Sequence, residues 1–457
     1  MQVKEDTKGT PVARELALNI LYEVMEKGAY ANICLENKLR NSQLSPNDKN
    51  LVTEIVNGSV RMIKHLDWVL NLFLRKPIDK QNPWLRNILR MSAYQVLFMD
   101  RIPNYAVVND AVDLCRQKCS KALAAVCNGV LRNLIRERGK YVYPPADSIE
   151  YLAIYYSQPD WLVKKWVDEY GREAAQAMLY YLNQRVQLTL RHNSLKADRT
   201  TVLQELAAEG IQAVASPIIP WSIRVESMDK SLEGLKSFQK GQFYVQNEAA
   251  MLAGVIVAPQ PGERVLDLCC GVGGKTTHFA EMMDNQGHIE AVDLHEHKIK
   301  LLKTNCHRLG VTIVEGVQKD ILQIKPVPNR NRVFLDAPCS GLGVLNRRSD
   351  SRWRKEPAEI AKLNELQKNL LSVAGQAVLP GGVLVYSTCT VNRLENEAVV
   401  NDFLKYNPDY KLEAIDRQVD FLPLDQTDRQ AARLGFLTLL PGKYGMDGMF
   451  YARMRRG

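Results

Sequence analysis

Residues 264–275 read RVLDLCCGVGGK, and this run sets the architecture of the C-terminal half of the chain. Its first half has the apolar content of a buried strand, and its second half is a glycine-rich turn that opens a helix. Further strands are predicted at residues 289–292, 333–335 and 383–386, with helical stretches between them. This alternation predicts βαβ crossovers, a mostly parallel sheet and a ligand site at the carboxyl ends of the strands.

Acidic residues mark the predicted ends of three successive strands. The glycine-rich turn alone is a weak signal, because many strand-to-helix turns are rich in glycine. Asp293 ends the second strand, where a carboxylate can bind ribose hydroxyls. Asp320 follows the strand-like stretch 312–317, where it can accept a hydrogen bond from an adenine amino group, and Asp336 ends the fourth strand. Together they favour a nucleoside cofactor over the alternative, a sheet with solvated strand ends.

Two cysteines follow the fourth and fifth predicted strands, in DAPCSG (336–341) and STCT (387–390). A free cysteine is usually a small buried hydrophobe, which is our interpretation of Cys34, Cys127 and Cys306. A thiolate that attacks carbon 6 of a cytosine makes carbon 5 nucleophilic enough to take a methyl group. A base then removes the carbon-5 proton, and elimination frees the thiolate. Asp336 could hydrogen-bond the N3/N4 edge of the base. The residues alone leave Cys339 and Cys389 as equal candidates for the nucleophile.

These paired motifs resemble those of the RNA cytosine-5 methyltransferases, and having both favours RNA over DNA as substrate. The resemblance implies that Cys389 is the nucleophile, that Cys339 assists product release and that the cofactor is S-adenosyl-L-methionine. The segment 243–249 resembles the part of the family that packs beside the cofactor. The family's cofactor-binding positions correspond here to Cys269, Cys270, Gly271, Val272, Gly273, Gly274, Lys275, Asp293, Asp320 and Asp336. The family's usual AAPGGK turn has lost its proline here, which is expected to affect cofactor affinity.

Residues 109–112 and 128–133 resemble a NusB-like RNA-binding domain. A NusB-like domain joined to this catalytic domain resembles the RsmB (Sun, Fmu) family of bacterial 16S rRNA methyltransferases. The resemblance implies 16S rRNA as partner and a 5-methylcytosine at one specific position as product. Two alternatives stay open: the same chemistry on tRNA or 23S rRNA, and a catalytically idle RNA-binding assembly factor. The idle factor would predict a broken cysteine pair, whereas both cysteines are present.

The predicted fold is multidomain. Residues 1–143 are expected to form an all-α NusB-like bundle, because apolar residues recur at helical spacing and prolines fall between the stretches. Residues 144–240 are expected to form a small α/β linker domain, and residues 241–457 a Rossmann-like methyltransferase domain. Residues 1–140 hold 22 Lys/Arg against 14 Asp/Glu, whereas the remainder holds 38 against 37. A basic module beside a neutral one suggests RNA binding, with solubility as an equal explanation.

Arginines suggest two RNA contacts. Arg347, Arg348, Arg352 and Arg354, with Trp353 among them, follow the DAPCSG motif, and we expect them to hold phosphates or an unstacked base. The alternative is a solvated surface loop. Arg132 and Arg136 lie on the last helix of the bundle and could bind rRNA phosphates, but cations that favour the helix dipole explain them equally well.

Several classes of protein are disfavoured by the sequence. The N-terminus, Met1 to Thr10, lacks the apolar core of a signal peptide, and no apolar run is long enough to span a membrane. The nine cysteines are scattered without paired Cys-x-x-Cys knuckles, so we expect no metal. The chain is therefore expected to be a cytoplasmic monomer with reduced thiols.

Overall fold

The computed structural model describes residues 9–228, 230–323 and 325–457. Within this part of the chain, residues up to 184 and the short segment 345–354 form one compact unit, here called the N-terminal unit. Residues 185–344 and 355 onward form a second, the C-terminal unit. Residues 1–8 belong to the polar N-terminal segment in which no signal peptide is expected, and they lie outside the described residues. The three-domain division after residues 143 and 240 stays a prediction.

The N-terminal unit is helical, as predicted, because apolar residues recur on one side of each amphipathic segment. Ser45 caps α3 by accepting from the Asp48 backbone N–H, and Asn82 caps α5, with Pro83 in its first turn. Leu18, Leu66 and Leu131 are fully buried in the shared core. The helices are α1 (Gly9–Glu26), α2 (Ala31–Arg40), α3 (Pro46–Arg61), α4 (Ile63–Asn71), α5 (Pro83–Phe98), α6 (Asn104–Lys118), α7 (Lys121–Arg136), α8 (Ile149–Tyr155), α9 (Asp160–Tyr170) and α10 (Arg172–Tyr181).

The C-terminal unit begins with a small antiparallel sheet in the order β2-β3-β1-β4. Its strands are β1 (Leu188–His192), β2 (Gln212–Ala215), β3 (Ser222–Ser227) and β4 (Phe243–Val245), and its helices are α11 (Arg199–Ala208) and α12 (Lys236–Gln239). Leu190, Ile223 and Phe243 form the centre of its apolar core. The predicted α/β character of this region is confirmed, and β1 lies where alternation of apolar residues predicts a strand.

The main sheet has the order β10-β12-β9-β8-β5-β6-β7, with β11 paired to β12. Strands β5 to β9 are parallel neighbours, whereas β12 runs antiparallel to β9, β10 and β11. The strands are β5 (Arg264–Leu268), β6 (His288–Asp293), β7 (Val314–Gln318), β8 (Arg330–Asp336), β9 (Val378–Thr388), β10 (Tyr410–Leu412), β11 (Phe436–Leu439) and β12 (Met449–Arg456). The predicted Rossmann-like, mostly parallel sheet is confirmed.

Helices cover both faces of the main sheet. Side chains of a strand alternate between the faces, so Val265 joins one apolar core and Leu266 the other. The strand order reverses between β5 and β8, and a ligand crevice forms where the order reverses, outside the carboxyl ends of the strands. The helices are α13 (Glu248–Val257), α14 (Gly274–Met282), α15 (Glu296–Leu309), α16 (Pro357–Gln376), α17 (Glu397–Tyr406) and α18 (Gln426–Arg433). Among the described helices, none has the length and apolar character needed to cross a membrane.

Candidate active site

The carboxyl ends of β5, β6, β8 and β9 meet at one edge of the main sheet. Register pairs Leu268 with both Val292 and Leu335, and it pairs Asp336 with Ser387. The glycine-rich turn, Asp293 and the two cysteine motifs therefore come from adjacent strand ends. The sheet brings together most of the residues that the sequence singles out.

The turn after β5 has the backbone that its glycines predict. Gly271 and Gly273 have φ angles of +60° and +90°, in the left-handed region. A Cβ on Gly273 would lie 2.2 Å from a methyl carbon of Leu302, so a larger residue there would force Leu302 to move. Cys269 also has a positive φ, 62°, although it is not glycine. The Val272 carbonyl, where the family has proline, accepts from Asn305 at 2.9 Å, so a side chain from α15 anchors the turn.

Asp293 is tied to this turn. Its carboxylate is buried and accepts from the backbone N–H groups of Gly271 and His295, each at 3.0 Å. Lys298 lies 3.3 Å away as a counter-ion. Asp320 is half-buried just beyond β7, where it accepts from the Leu322 N–H at 3.0 Å. Both acids thus stand at strand ends, as the sequence predicts.

Asp267 lies inside β5 and was missed in the sequence analysis. It is buried, its Oδ2 accepts from the Thr276 hydroxyl at 2.5 Å, and its Oδ1 has no hydrogen-bond partner. Burial raises the pKa of this carboxyl to about 7, against the lowering effect of the Thr276 hydrogen bond. The signal was available, because a lone acid in an otherwise apolar strand needs an explanation.

Lys275 and Asp336 form an ion pair that joins the turn to the first cysteine motif. The Lys275 Nζ lies 2.5 Å from Asp336 Oδ2, and the Ser387 hydroxyl is 3.5 Å from Oδ1. Lys275 also lies 5.8 Å from the centre of the Phe334 ring. A cation thus balances the charge of Asp336 at the edge where the base is expected.

The two cysteines selected from the sequence are in contact. The Sγ atoms of Cys339 and Cys389 are 3.4 Å apart. The hydrogen bond with Cys389, followed by burial, raises the pKa of Cys339 well above its usual value. The two thiols therefore share one hydrogen bond, in which either sulfur can be the donor.

A buried polar cluster, here called the Glu395 cluster, lies behind the cysteine motifs and was missed in the sequence analysis. Glu395 accepts from the Ser340 backbone N–H at 2.8 Å, from the Ser340 hydroxyl at 2.5 Å and from Asn392 at 2.9 Å. Gln367 donates to Glu395 at 3.1 Å and to the Pro338 carbonyl at 2.9 Å. The cluster comprises Ser340, Gln367, Thr390, Asn392 and Glu395, all with at most 2% exposure. It connects the loop of Cys339 to the loop of Cys389.

The predicted RNA contact of Arg352 is wrong. Its side chain is fully buried within the N-terminal unit. The guanidinium donates to the Ser157 and Leu182 carbonyls at 3.2 and 3.1 Å, and to Asn183 Oδ1 at 2.9 Å. It also donates to the Leu345 carbonyl at 3.5 Å, and a group with no exposed surface and four protein acceptors stabilises the fold and is not available to a phosphate.

Arg354 is half-buried and engaged within the N-terminal unit, and its contact with RNA stays a prediction. It donates to the Gly28 carbonyl at 2.8 Å and to the Ala29 carbonyl, pairs with Asp350 at 3.1 Å and lies over the Tyr30 ring. They engage three of its five N–H donors, and 30% of the side chain is exposed.

The remaining predicted RNA-binding arginines are on the surface. Arg347 and Arg348 are exposed, as is Arg132. Arg136 is exposed and pairs with Glu137 at 3.0 Å and with Asn133 at 2.9 Å. Their contact with RNA stays a prediction.

Within the described ranges, no group of three or more His, Cys, Asp or Glu side chains is arranged to hold a metal ion. The acids and thiols at the sheet edge instead pair with hydroxyl, amide, ammonium or thiol groups.

Known families match successive parts of the chain. Residues 11–136 match the NusB family, residues 158–230 match the ferredoxin-like domain of RsmF/B-like methyltransferases, and residues 254–455 match the family "16S rRNA methyltransferase RsmB/F". The last matched range contains the glycine-rich turn and both cysteine motifs of this chain.

Alignments with similar proteins cover nearly the whole chain. Probable ribosomal RNA small subunit methyltransferase B of Bacillus subtilis is 36% identical over 97% of this chain and 98% of its own. The protein of the same name from Synechocystis is 37% identical over 97% and 99%. A methyltransferase homologue from Pyrococcus horikoshii has a crystal structure with a TM-score of 0.58 at 25% identity, covering 68% of this chain and 100% of that one. Another solved structure reaches a TM-score of 0.79 at 26% identity over 98% and 99%.

Proposed function

We propose a specific reaction for this chain, which belongs to the RsmB/F family of 16S rRNA methyltransferases. Family membership makes it an rRNA methyltransferase with a NusB-type RNA-binding domain. The proposal is that it methylates carbon 5 of one specific cytosine in 16S rRNA through a covalent bond between Cys389 and carbon 6. It acts as a monomer without a metal, in the cytoplasm, where ribosomal RNA is found.

The cofactor is S-adenosyl-L-methionine, and the residues at the carboxyl ends of β5 and β6 fit it. The positive-φ turn lets the backbone approach a ligand, and Asp293 stands where a carboxylate can bind ribose hydroxyls. The buried Oδ1 of Asp267 lacks a partner, as expected where a ligand donor completes the site. Asp320 is the proposed acceptor for the adenine amino group. When bound, the cofactor supplies a sulfonium methyl group.

The single observation that carries the proposal is the 3.4 Å contact between the Cys339 and Cys389 sulfurs at the ends of β8 and β9. We assign the thiolate to Cys389, as the resemblance of its motif to the family's second cysteine motif implies, and the Cys339 thiol lies beside it as a hydrogen-bond partner. The Cys389 thiolate adds to carbon 6 of the cytosine, and the electron pair of the C5=C6 bond becomes available at carbon 5. Nucleophilic catalysis of this kind divides one difficult step into easier ones.

Asp336 orients the base in this proposal. We assign its carboxylate, which pairs with Lys275, to the N3/N4 edge of the cytosine once the base has left its stack. After carbon 5 is methylated, a base removes the carbon-5 proton, the C6–Sγ bond breaks, and the thiolate leaves. Cys339 assists this release because its thiol lies beside the departing sulfur.

The test combines Cys389→Ala with mapping of the product. The full-length wild-type enzyme is incubated with unmodified 16S rRNA and S-adenosyl-L-methionine, and the methylated position is mapped by bisulfite sequencing. We expect one new 5-methylcytosine with wild type and none with Cys389→Ala, while S-adenosyl-L-methionine binding measured by calorimetry is retained. Turnover by Cys389→Ala, or a methyl group at another atom, would overturn the proposal. Cys306→Ala, a buried cysteine on α15, serves as the matched control.

A further inference from the structure

The N-terminal unit contains an aromatic cavity that the proposed reaction does not use. Its volume is about 460 Å³, within the range of ~300–1,000 Å³ typical of ligand sites. Among the described residues, the tyrosines that line it are Tyr94, Tyr141, Tyr143, Tyr155, Tyr156 and Tyr180. We call it the tyrosine pocket. All of its lining residues belong to the N-terminal unit.

The aromatic rings of the pocket hold one another in place. Tyr143 stacks on Trp68 with ring centres 4.7 Å apart, and Tyr151 stacks on Tyr155 at 5.3 Å. Tyr143 and Tyr155 meet edge to face at 5.8 Å. Even so, 43% of Tyr155 and 59% of Tyr180 are exposed. A rigid set of rings that keeps part of its surface open suits a planar guest, because stacking then costs little ordering of the protein.

The pocket has a cationic wall. Arg61 and Arg138 line it, and among the described lining residues there is no carboxylate. Arg138 donates to Asp100 at 2.9 Å and to the Leu97 carbonyl at 3.1 Å, and Arg61 donates to the Asn183 carbonyl at 3.4 Å, so these bonds use only part of the five N–H donors of each guanidinium. Guanidinium groups with open donor directions bind phosphate oxygens well. The charge of the wall therefore selects an anionic guest.

His65 adds a buried acceptor. It lies in the pocket wall with 7% exposure, and its Nδ1 has no hydrogen-bond partner. Burial lowers the pKa of His65 to about 4, although hydrogen bonds to the backbone of Ile154 and Tyr155 oppose this. Because burial disfavours the charged ring, one nitrogen of the neutral ring is an acceptor, and we take it to be Nδ1 because that atom has no partner. A guest with an N–H group would satisfy it.

We propose that the tyrosine pocket binds one unpaired nucleotide of the RNA substrate, with its base among the tyrosines and its phosphate at Arg61. Aromatic faces, a cationic wall and a buried acceptor match the base, the phosphate and the base N–H of a single-stranded nucleotide. This inference rests on the proposed function only in taking RNA as the substrate. The pocket is a holding site, and the reacting cytosine goes to Cys389.

The first experiment measures RNA affinity with Tyr155→Ala in the full-length protein. The probe is 16S rRNA transcribed in vitro, and dissociation constants are measured by filter binding without S-adenosyl-L-methionine. Loss of base stacking is expected to raise Kd about fivefold or more, and Tyr155→Trp is expected to restore affinity. The control is Tyr105→Ala on α6, a tyrosine of the same unit that is 72% exposed and does not line the pocket. Equal Kd values for Tyr155→Ala and Tyr105→Ala would overturn the inference.

The second experiment locates the RNA directly and guards against misfolding of the variant. Wild-type protein is irradiated with 16S rRNA containing 4-thiouridine, and the crosslinked peptides are identified by mass spectrometry. We expect crosslinks at Tyr141, Tyr143 or Tyr155. Crosslinks confined to other parts of the chain would show that the pocket holds no nucleotide, as would be the case if a peptide were its occupant.

The two proposals can fail separately. Binding and crosslinking need no turnover, so pocket crosslinks in a protein that does not methylate carbon 5 would keep this inference and overturn the proposed reaction. Methylation of carbon 5 by a protein whose pocket never crosslinks would support the proposed reaction and overturn this inference.

Discussion

In the proposed reaction, two sulfur atoms 3.4 Å apart take different roles, although their side chains are chemically identical. The hydrogen bond to Cys389 and burial raise the pKa of the Cys339 thiol. Neighbouring thiols that titrate together cannot both ionise easily, so a single thiolate beside a protonated thiol is the favoured state of the pair. The proposal takes Cys389 as that thiolate and Cys339 as the thiol.

Replacing Cys339 with alanine should trap the intermediate. With the neighbouring thiol gone, addition to carbon 6 continues while release slows, so a covalent protein–RNA species accumulates. Denaturing gels of reactions with labelled 16S rRNA should show a slow band for Cys339→Ala that is weak for wild type and missing for Cys389→Ala. A slow band with Cys389→Ala would exchange the two roles.

Asp267 is a buried acid whose protonation affects stability. Its pKa in the folded protein is raised from 3.8 to about 7, chiefly by burial. Because the pKa of Asp267 is higher in the folded protein than in the unfolded chain, its protonated carboxyl contributes fully to the stability of the fold below the unfolded value. This contribution is lost as the pH rises through the folded value of about 7.

Asp267→Asn should remove this dependence, since the amide does not ionise. Relative to the variant, wild type should lose unfolding free energy between about pH 4 and pH 8, by at most about 4 kcal/mol. Urea titrations of both proteins without cofactor, across that range, measure the difference. If the free energies of unfolding of wild type and Asp267→Asn change equally with pH, Asp267 is not the group that titrates.

At the scale of elements, the strand ends and the loops behind them position the thiols. Glu395 is fully buried and accepts hydrogen bonds from both cysteine-bearing loops. A buried carboxylate with several donors fixes geometry, because removing it leaves each of those donors unsatisfied. We therefore assign Glu395 a positioning role.

Glu395→Ala should lower the free energy of unfolding by about 3 kcal/mol, since buried donors lose their acceptor. If the thiols also shift relative to the base, the single-turnover rate should fall on the order of 100-fold. Urea titration and single-turnover assays check the two effects. The matched control is Glu365→Ala on α16, whose side chain is 70% exposed and which should change neither quantity. A full rate at reduced stability would leave Glu395 a purely structural role.

The parallel part of the sheet could be predicted from the sequence because its strands are short apolar runs between helices. The antiparallel β12 was not predicted, since it carries Arg453 within the strand. That arginine is 3% exposed, and its charge is balanced by Glu413 at 2.8 Å and by the Ile256 and Val257 carbonyls. A local sequence pattern does not show that a buried charge has partners on elements distant in sequence.

The same limit applied to the site. Residues at strand ends were found because sheet topology places them together, whereas Asp267 and Glu395 were missed because their roles depend on burial and on partners. The nucleophile was left open between Cys339 and Cys389 by the residues themselves. The arginines of 347–354 were expected to contact RNA, since composition does not show that Arg352 has carbonyl acceptors inside the N-terminal unit.

At the scale of the whole molecule, the N-terminal unit is assembled from two separate parts of the chain. Residues 345–354 belong to it although they lie beyond β8 in sequence. The Trp353 Nε1 donates to the Val60 carbonyl at 2.7 Å, and its ring packs on the helical core. This segment is therefore structural in the N-terminal unit.

Arg352→Ala should destabilise the N-terminal unit by about 3 kcal/mol, because carbonyl and amide oxygens lose a buried charged donor. Arg348→Ala, an exposed neighbour, should stay within about 0.5 kcal/mol of wild type. The stability of the two full-length variants is compared by thermal unfolding, and limited proteolysis shows whether cleavage within residues 9–184 becomes faster. If Arg352→Ala unfolds like wild type but binds rRNA weakly, Arg352 contacts RNA and does not stabilise the fold.

The buried guanidinium of Arg352 has a consequence for synthesis of the chain. Its acceptor at Leu182 is synthesised 170 residues before Arg352. At the usual ~5–20 residues per second, that interval is roughly 10–30 s. During this time the nascent N-terminal helices carry backbone oxygens and an apolar surface whose permanent partners do not yet exist. Completion of this unit is thus a late event in translation, although its helices emerge first.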